Sequence, residues 1–169
     1  MDFIVIEGDI ARQRADALVS AADTTLAMSG GSARALGDGG GDALHEAAVE
    51  AGPVDPGEVA VTDAFDLAAD VVVHAAAKPA GGLATEATIR RATRHALTEA
   101  ESHGCRSIVL PALGCGVGGV DLADGARVIA EELDRFESTT LTDVRLIAYT
   151  ASDRETLQAV ADDVRLERG

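Results

Sequence analysis

Aromatic side chains are almost absent from this chain of 169 residues. They make up 2%, as three Phe, one Tyr and no Trp. A core must then be packed from Ala, Val, Leu and Ile. Lysine is scarcer still: Lys78 stands alone, and 14 Lys+Arg face 29 Asp+Glu for a formal net charge of -15. So acidic a surface repels bare nucleic acid and anionic membranes, and neither is expected as a partner. The only cysteines, Cys105 and Cys115, form no CxxC and suggest no disulfide framework. No HxxxH, HExxH or Cys/His cluster is present, so no metal is expected, and no cofactor either. No apolar run approaches the ~20 residues of a membrane span. The first ten residues, MDFIVIEGDI, lack the basic start of a secretory leader and read as a strand. These absences together lead us to expect a cytoplasmic protein.

What is present is a foldable composition, 47% hydrophobic and 25% charged. The length suits one domain over residues 1–169. The carboxylates are spread along the chain rather than gathered in a tail, which argues against an interaction tail. Such a halophilic-type surface suits concentrated salt, where screening relieves self-repulsion.

Short apolar runs alternate with helical patterns. Phe3–Ile6, Ala17–Ala22, Val59–Val61, Val71–Ala76, Ser107–Leu110 and Val144–Tyr149 are of strand length. Several are apolar throughout, as in a sheet buried on both faces. Helices are predicted between them. One runs from about Asp42 to Ala51 with Leu44, Ala47, Ala48 and Ala51 inward. One is capped by Thr85 and ends near Gly104, and one is capped by Asp121. In the last, Ser152 and Glu155 form a capping-box pattern. The fold class expected is an α/β three-layer sandwich with a mixed, mostly parallel central sheet.

In such sheets ligands bind beyond the carboxyl ends of the strands. Four segments with unusual chemistry sit there. Gly8-Asp9-Ile10 follows the first strand, where Asp9 either bonds its own backbone or accepts from an exocyclic amine. Ala22 and Asp23 end the second strand and lead to Gly30, Gly31, Ser32 and Ala33. Glycines there let the backbone approach a ligand and present its amides, and Gly37, Gly39, Gly40 and Gly41 suggest a mobile loop just beyond. The third segment carries Gly114, Cys115, Gly116, Val117 and Gly118 between a strand and the helix capped by Asp121. Free amides and a helix N-terminus favour a phosphate at such a place. No Gly-Lys-Ser/Thr follows, so it is not a Walker A loop. The fourth is Tyr149, which either fills the core or stacks on a nucleobase.

In their order along the chain these segments resemble the macro domain family. Gly8-Asp9-Ile10, Ala17–Asp23, Met28–Ala35, Pro56-Gly57-Glu58, Val72–Ala75 and Pro111–Gly119 all carry the likeness, which covers nearly the whole chain. The resemblance implies an α/β/α sandwich that binds ADP-ribose or an ADP-ribosylated protein. It implies Asp9 on the adenine amine with Ile10 beside it and Tyr149 flanking the base. It puts the loops Gly30–Ala33 and Gly114–Val117 around the diphosphate, and Asp23 near the distal ribose. Departures are Ser20 and Asp23 where the family has Asn, Ser29 and Arg34 where it has Gly, and Cys115 where it has Thr. Hydrolytic members carry an Asp at the position of Ala33.

Two further readings stay open. One is a hydrolase of ADP-ribosyl or ADP-ribose-phosphate bonds, in which Asp23 is the candidate catalytic residue orienting a water. The other is a pocket turned to a different nucleotide. Cys115 is a candidate nucleophile if the helix N-terminus depresses its pKa and His74 or His45 serves as base. His95 and His103 are expected to face solvent.

Overall fold

The computed structural model describes residues 1–169. Its strands and helices are β1 (Ile4–Glu7), β2 (Ala17–Asp23), α1 (Gly31–Gly40), α2 (Asp42–Ala51), β3 (Val59–Asp63) and β4 (Val71–Lys78). They continue with α3 (Glu86–Ser102), β5 (Ser107–Leu110), α4 (Leu122–Arg135), β6 (Asp143–Ala148) and α5 (Ala151–Arg168). Single 3-10 turns occur at Ile10–Arg12 and Gly116–Gly118. The strands form one sheet in the order β1-β6-β5-β2-β4-β3. Every neighbouring pair is parallel except β3 against β4. This is the mixed, mostly parallel α/β/α sandwich expected. No helix is long and apolar enough to cross a membrane.

Alternation along each strand divides the core. Val5, Val19, Val73, Ile108 and Leu146 pack on one face with Ile89, Ile129 and Leu157 of α3, α4 and α5. Leu18, Val72, Val109 and Ile147 pack on the other with Leu36 and Leu44 of α1 and α2. The aromatic-poor core is filled by aliphatics and by many fully buried alanines, among them Ala17, Ala75, Ala92, Ala96, Ala126 and Ala130.

The structure corrects several local expectations. The glycine-rich stretch after Gly31 is not a mobile loop but helix α1. Its glycines let helices meet closely, since a Cβ at Gly37 would stand 2.5 Å from His45 Nε2 and one at Gly40 would stand 2.3 Å from Leu44 Cδ2. Tertiary contact thus outweighs the low helix propensity of glycine. Ala51 is exposed rather than inward. Thr150, not Ser152, caps α5, because its side chain accepts from Asp153 N at 3.1 Å. His95 does not point freely to solvent; its Nδ1 lies 2.8 Å from Gly57 O.

One carboxylate holds the connection between α4 and β6. Glu101 of α3 accepts from the Ser138 hydroxyl at 2.6 Å and from the amides of Thr139, Thr140 and Leu141 at 3.2, 3.1 and 3.0 Å. Burial alone would raise its pKa, but these donors outweigh it and hold the carboxyl far below the usual range. Such a group adds stability above pH ~4 that is lost as pH falls below it. Glu101→Gln, which turns an amide donor toward donors, should cost about 2 kcal/mol at pH 7 in chemical denaturation. An unchanged denaturation midpoint would contradict this role.

Candidate functional site

Because β1, β6, β5, β2 and β4 run parallel, their carboxyl ends share one edge of the sheet. A cleft opens along that edge in two adjoining pockets. One, of about 450 Å³, is lined by Asp9, Ile10, Arg34 and Asp38 among others. The second, of about 610 Å³, is lined by Ala22, Asp23, Gly30, Ala33, Lys78 and the loop Gly114–Gly118. Gly31, Ser32, Pro111, Ile147 and Tyr149 border both. Every ligand-binding residue anticipated from sequence therefore lines one of these two pockets, while the candidate bases His45 and His74 line neither.

The amides that face this cleft come from two places. Gly30 is the N-cap of α1, so Gly31, Ser32 and Ala33 form its first turn and their amides have no partner within the helix. Ser32 also ties the turn to β2, its Oγ accepting from Ala21 N at 3.4 Å. The second set is the 3-10 turn Gly116–Gly118. Its approach requires Gly114 at φ +75°, where a Cβ would stand 2.6 Å from Ile89 and 2.8 Å from Ala84. The N-terminus of α4 offers fewer free amides than expected. Asp121 already accepts from Ala123 N at 3.1 Å and Asp124 N at 3.4 Å, so that helix end is occupied by its own carboxylate.

The individual side chains divide between local and cleft roles. Asp9 Oδ1 accepts from Ala11 N at 2.9 Å and caps the turn Ile10–Arg12, while Oδ2 has only Arg12 at 4.0 Å. Asp23 Oδ1 accepts from Thr25 N at 2.8 Å and from the Thr25 hydroxyl. Tyr149 does not fill the core; it is 78% exposed at the cleft margin.

Cys115 is no activated nucleophile. Burial and the carboxylates of Asp121 and Asp124 push its thiol up to about 11, the reverse of the expected depression. Its sulfur lies 3.7 Å from Leu113 O and 3.9 Å from Asp121 O. His45 packs on Gly37, and His74 Nε2 lies 2.8 Å from Thr62 Oγ1, so neither histidine serves as its base.

One residue that sequence reasoning passed over also lines the cleft. Lys78 ends β4, opposite Asp23 after a register shift in β2 at Ala22/Asp23. The signal was available: a sole lysine directly after an apolar run that forms a parallel strand.

Beneath the cleft sits a buried polar pair. Ser20 and His74 are cross-strand partners on β2 and β4, and both are fully buried. The Thr62 hydroxyl donates to Asp63 O at 3.0 Å, so it accepts from His74 Nε2–H. That leaves His74 Nδ1 and Ser20 Oγ without partners. Burial lowers the His74 pKa from 6.5 to about 4. A depressed histidine contributes stability that is fully present above pH ~6.5 and lost as pH falls toward 4. The contribution is on the order of 3 kcal/mol. His74→Gln, which can keep the bond to Thr62, should flatten the decline in stability between pH 6.5 and 4. An equally steep decline in the variant would contradict it.

The fold and cleft have clear counterparts among known proteins. The family model described as Macro domain matches residues 19–129. An uncharacterised protein of Aquifex aeolicus is 34% identical over 148 residues, covering 87% of this chain and 90% of that protein. An uncharacterised protein of Mycobacterium tuberculosis is 37% identical over 137 residues, 81% of this chain. The matched region spans only 38% of that longer relative. Among solved structures, an Oceanobacillus iheyensis macrodomain with ADP superposes with a TM-score of 0.87 at 21% identity, covering 98% of this chain and 92% of that one. A Trypanosoma brucei macrodomain in complex with ADP-ribose gives 0.85 at 24% identity, over 92% and 68%. With a six-stranded mixed sheet, a glycine-lined cleft at its carboxyl edge and a family match over most of its length, this chain belongs to the Macro domain family.

Proposed function

We propose that the 169 residues form one binding domain for ADP-ribose, free or carried on a protein. The observation that carries this reading is the pairing of two sets of free amides, from Gly31–Ala33 and Gly116–Gly118, on one cleft. Neutral amides can hold a diphosphate without a cluster of basic side chains, which an acidic chain does not supply. The solved macrodomains of Oceanobacillus iheyensis and Trypanosoma brucei hold ADP and ADP-ribose, and they support the same ligand class here.

In this reading the 450 Å³ pocket takes the nucleoside. Asp9 accepts from the adenine amine through Oδ2, Ile10 lies beside the ring, and exposed Tyr149 closes over it. The loops Gly30–Ala33 and Gly114–Gly118 hold the diphosphate. Ala22 and Asp23 border the distal ribose. Both cysteines are free thiols, which accords with a reducing cytoplasm.

The backbone of Gly30 offers a clean test. Its φ of -160° suits any residue, and a Cβ there meets nothing within 4 Å. Gly30→Leu should therefore still fold, losing about 1 kcal/mol at the helix N-cap, yet its side chain would stand where the diphosphate is held. Calorimetry should show ADP-ribose binding to the parent and a loss of at least ~10-fold in the variant, about 1.4 kcal/mol. Absence of binding to the parent at millimolar ADP-ribose would refute the reading.

Hydrolysis of an ADP-ribosyl bond is the second reading. It is favoured by Asp23, whose Oδ1 is engaged by Thr25 while Oδ2 is left to orient a water. If it holds, the protein releases ADP-ribose from a modified protein, and Asp23→Ala reduces that release by roughly 100-fold or more. Equal release by the variant would remove Asp23 from the chemistry.

A further inference from the structure

Lys78 is the sole lysine of a chain carrying 29 acidic residues, and its place in the fold is specific. It ends β4 on the carboxyl edge of the sheet and lines the 610 Å³ pocket. Its stem passes the second glycine loop, since a Cβ at Gly118 would stand 4.0 Å from Lys78 Cδ. Its ammonium is held only by two neutral carbonyls, Gly82 O at 3.3 Å and Pro79 O at 3.4 Å. These are long contacts for a charged donor. Asp23, its cross-strand partner, turns its carboxylate to Thr25 instead.

The segment that holds the ammonium is itself tied down by two hydrogen bonds. Ala80 N donates to Thr24 Oγ1 at 3.0 Å, and Ala84 N donates to Gly118 O at 2.8 Å. The strap thus joins the residue after β2 to the second amide set, and its carbonyls hold the Lys78 ammonium.

We propose that Lys78 is the cation that pairs with the anionic group of the ligand, and so makes this cleft select diphosphates over neutral nucleosides. The inference rests on the ADP-ribose reading above and adds a residue to it. An ammonium with long, neutral partners gives them up at little cost when a phosphate oxygen comes within reach. The amides then set the geometry of the diphosphate, and Lys78 supplies the net charge they lack. In a molecule of net charge -15 a cation beside the second amide set offsets a field that otherwise opposes the ligand, while Arg34, in the other pocket, stands 3.9 Å from Asp38.

Calorimetry on the parent, Lys78→Met and Lys78→Arg, each with ADP-ribose, ADP and adenosine across a salt series, tests the role. Lys78→Met should weaken ADP-ribose and ADP by about 10-fold and flatten the salt dependence of their binding, while adenosine binding is unchanged. Lys78→Arg should stay within about 3-fold of the parent, because it restores the charge. If the parent binds ADP-ribose and Lys78→Met binds it equally with the same salt dependence, the role of Lys78 is overturned alone. If Lys78→Met loses adenosine as severely as ADP-ribose, the residue only supports the strap, and the proposal again fails. If the parent binds neither diphosphate, the reading of the site falls and the role of Lys78 falls with it.

Discussion

The parallel ladder of β1, β6, β5, β2 and β4 is the constraint on which the rest of the molecule depends. Hydrogen-bonded register puts Glu7, Ala148, Leu110, Asp23 and Lys78 at one edge. Each crossover must then leave that edge and return to the other, so the connecting loops gather there. Glycine is tolerated in these loops because they carry backbone conformations and approaches that other residues cannot make. Gly114 shows this most clearly, hemmed in by Ile89 and Ala84 at positive φ. The cleft is thus a consequence of strand direction, and its chemistry a consequence of which residues end the strands.

A second theme is how an acidic chain can hold an anion. Carboxylates are abundant, yet those near the cleft are largely engaged with backbone. Asp9 caps a turn, Asp23 binds Thr25 and Asp121 closes the N-terminus of α4. What remains for a ligand is uncharged amide density from α1 and the 3-10 turn, with one ammonium nearby. Burial, together with Asp121, which closes the end of α4, and Asp124, raises the Cys115 pKa, so its thiol is not activated for attack.

Much of this was legible in the sequence, and the failures have physical causes. Continuous apolar runs marked the strands, because a sheet covered on both faces needs no polar alternation. Thr85 and Asp121 marked helix starts, because caps are local. Helix α1 was hidden because its glycines are chosen for contact with His45 and Leu44, which lie in another helix. The cap of α5 was misplaced by two residues because Thr150-x-x-Asp153 and Ser152-x-x-Glu155 offer overlapping signals. Lys78 was missed because its neighbourhood depends on β4 lying beside β2, a fact of strand order that spacing along the chain does not contain. The anticipated ligand residues line one cleft because the loops that carry them follow the carboxyl ends of parallel strands.

The central claim is that backbone amides at two separate loops hold one ligand together. Amide chemical shifts recorded during titration with ADP-ribose test it most directly. The expected result is that the amides of Gly31, Ser32, Ala33, Gly116, Val117 and Gly118 move together along one binding curve, while those of the α4 N-terminus move little. Movement confined to one of the two loops, or to residues outside the cleft, would contradict it.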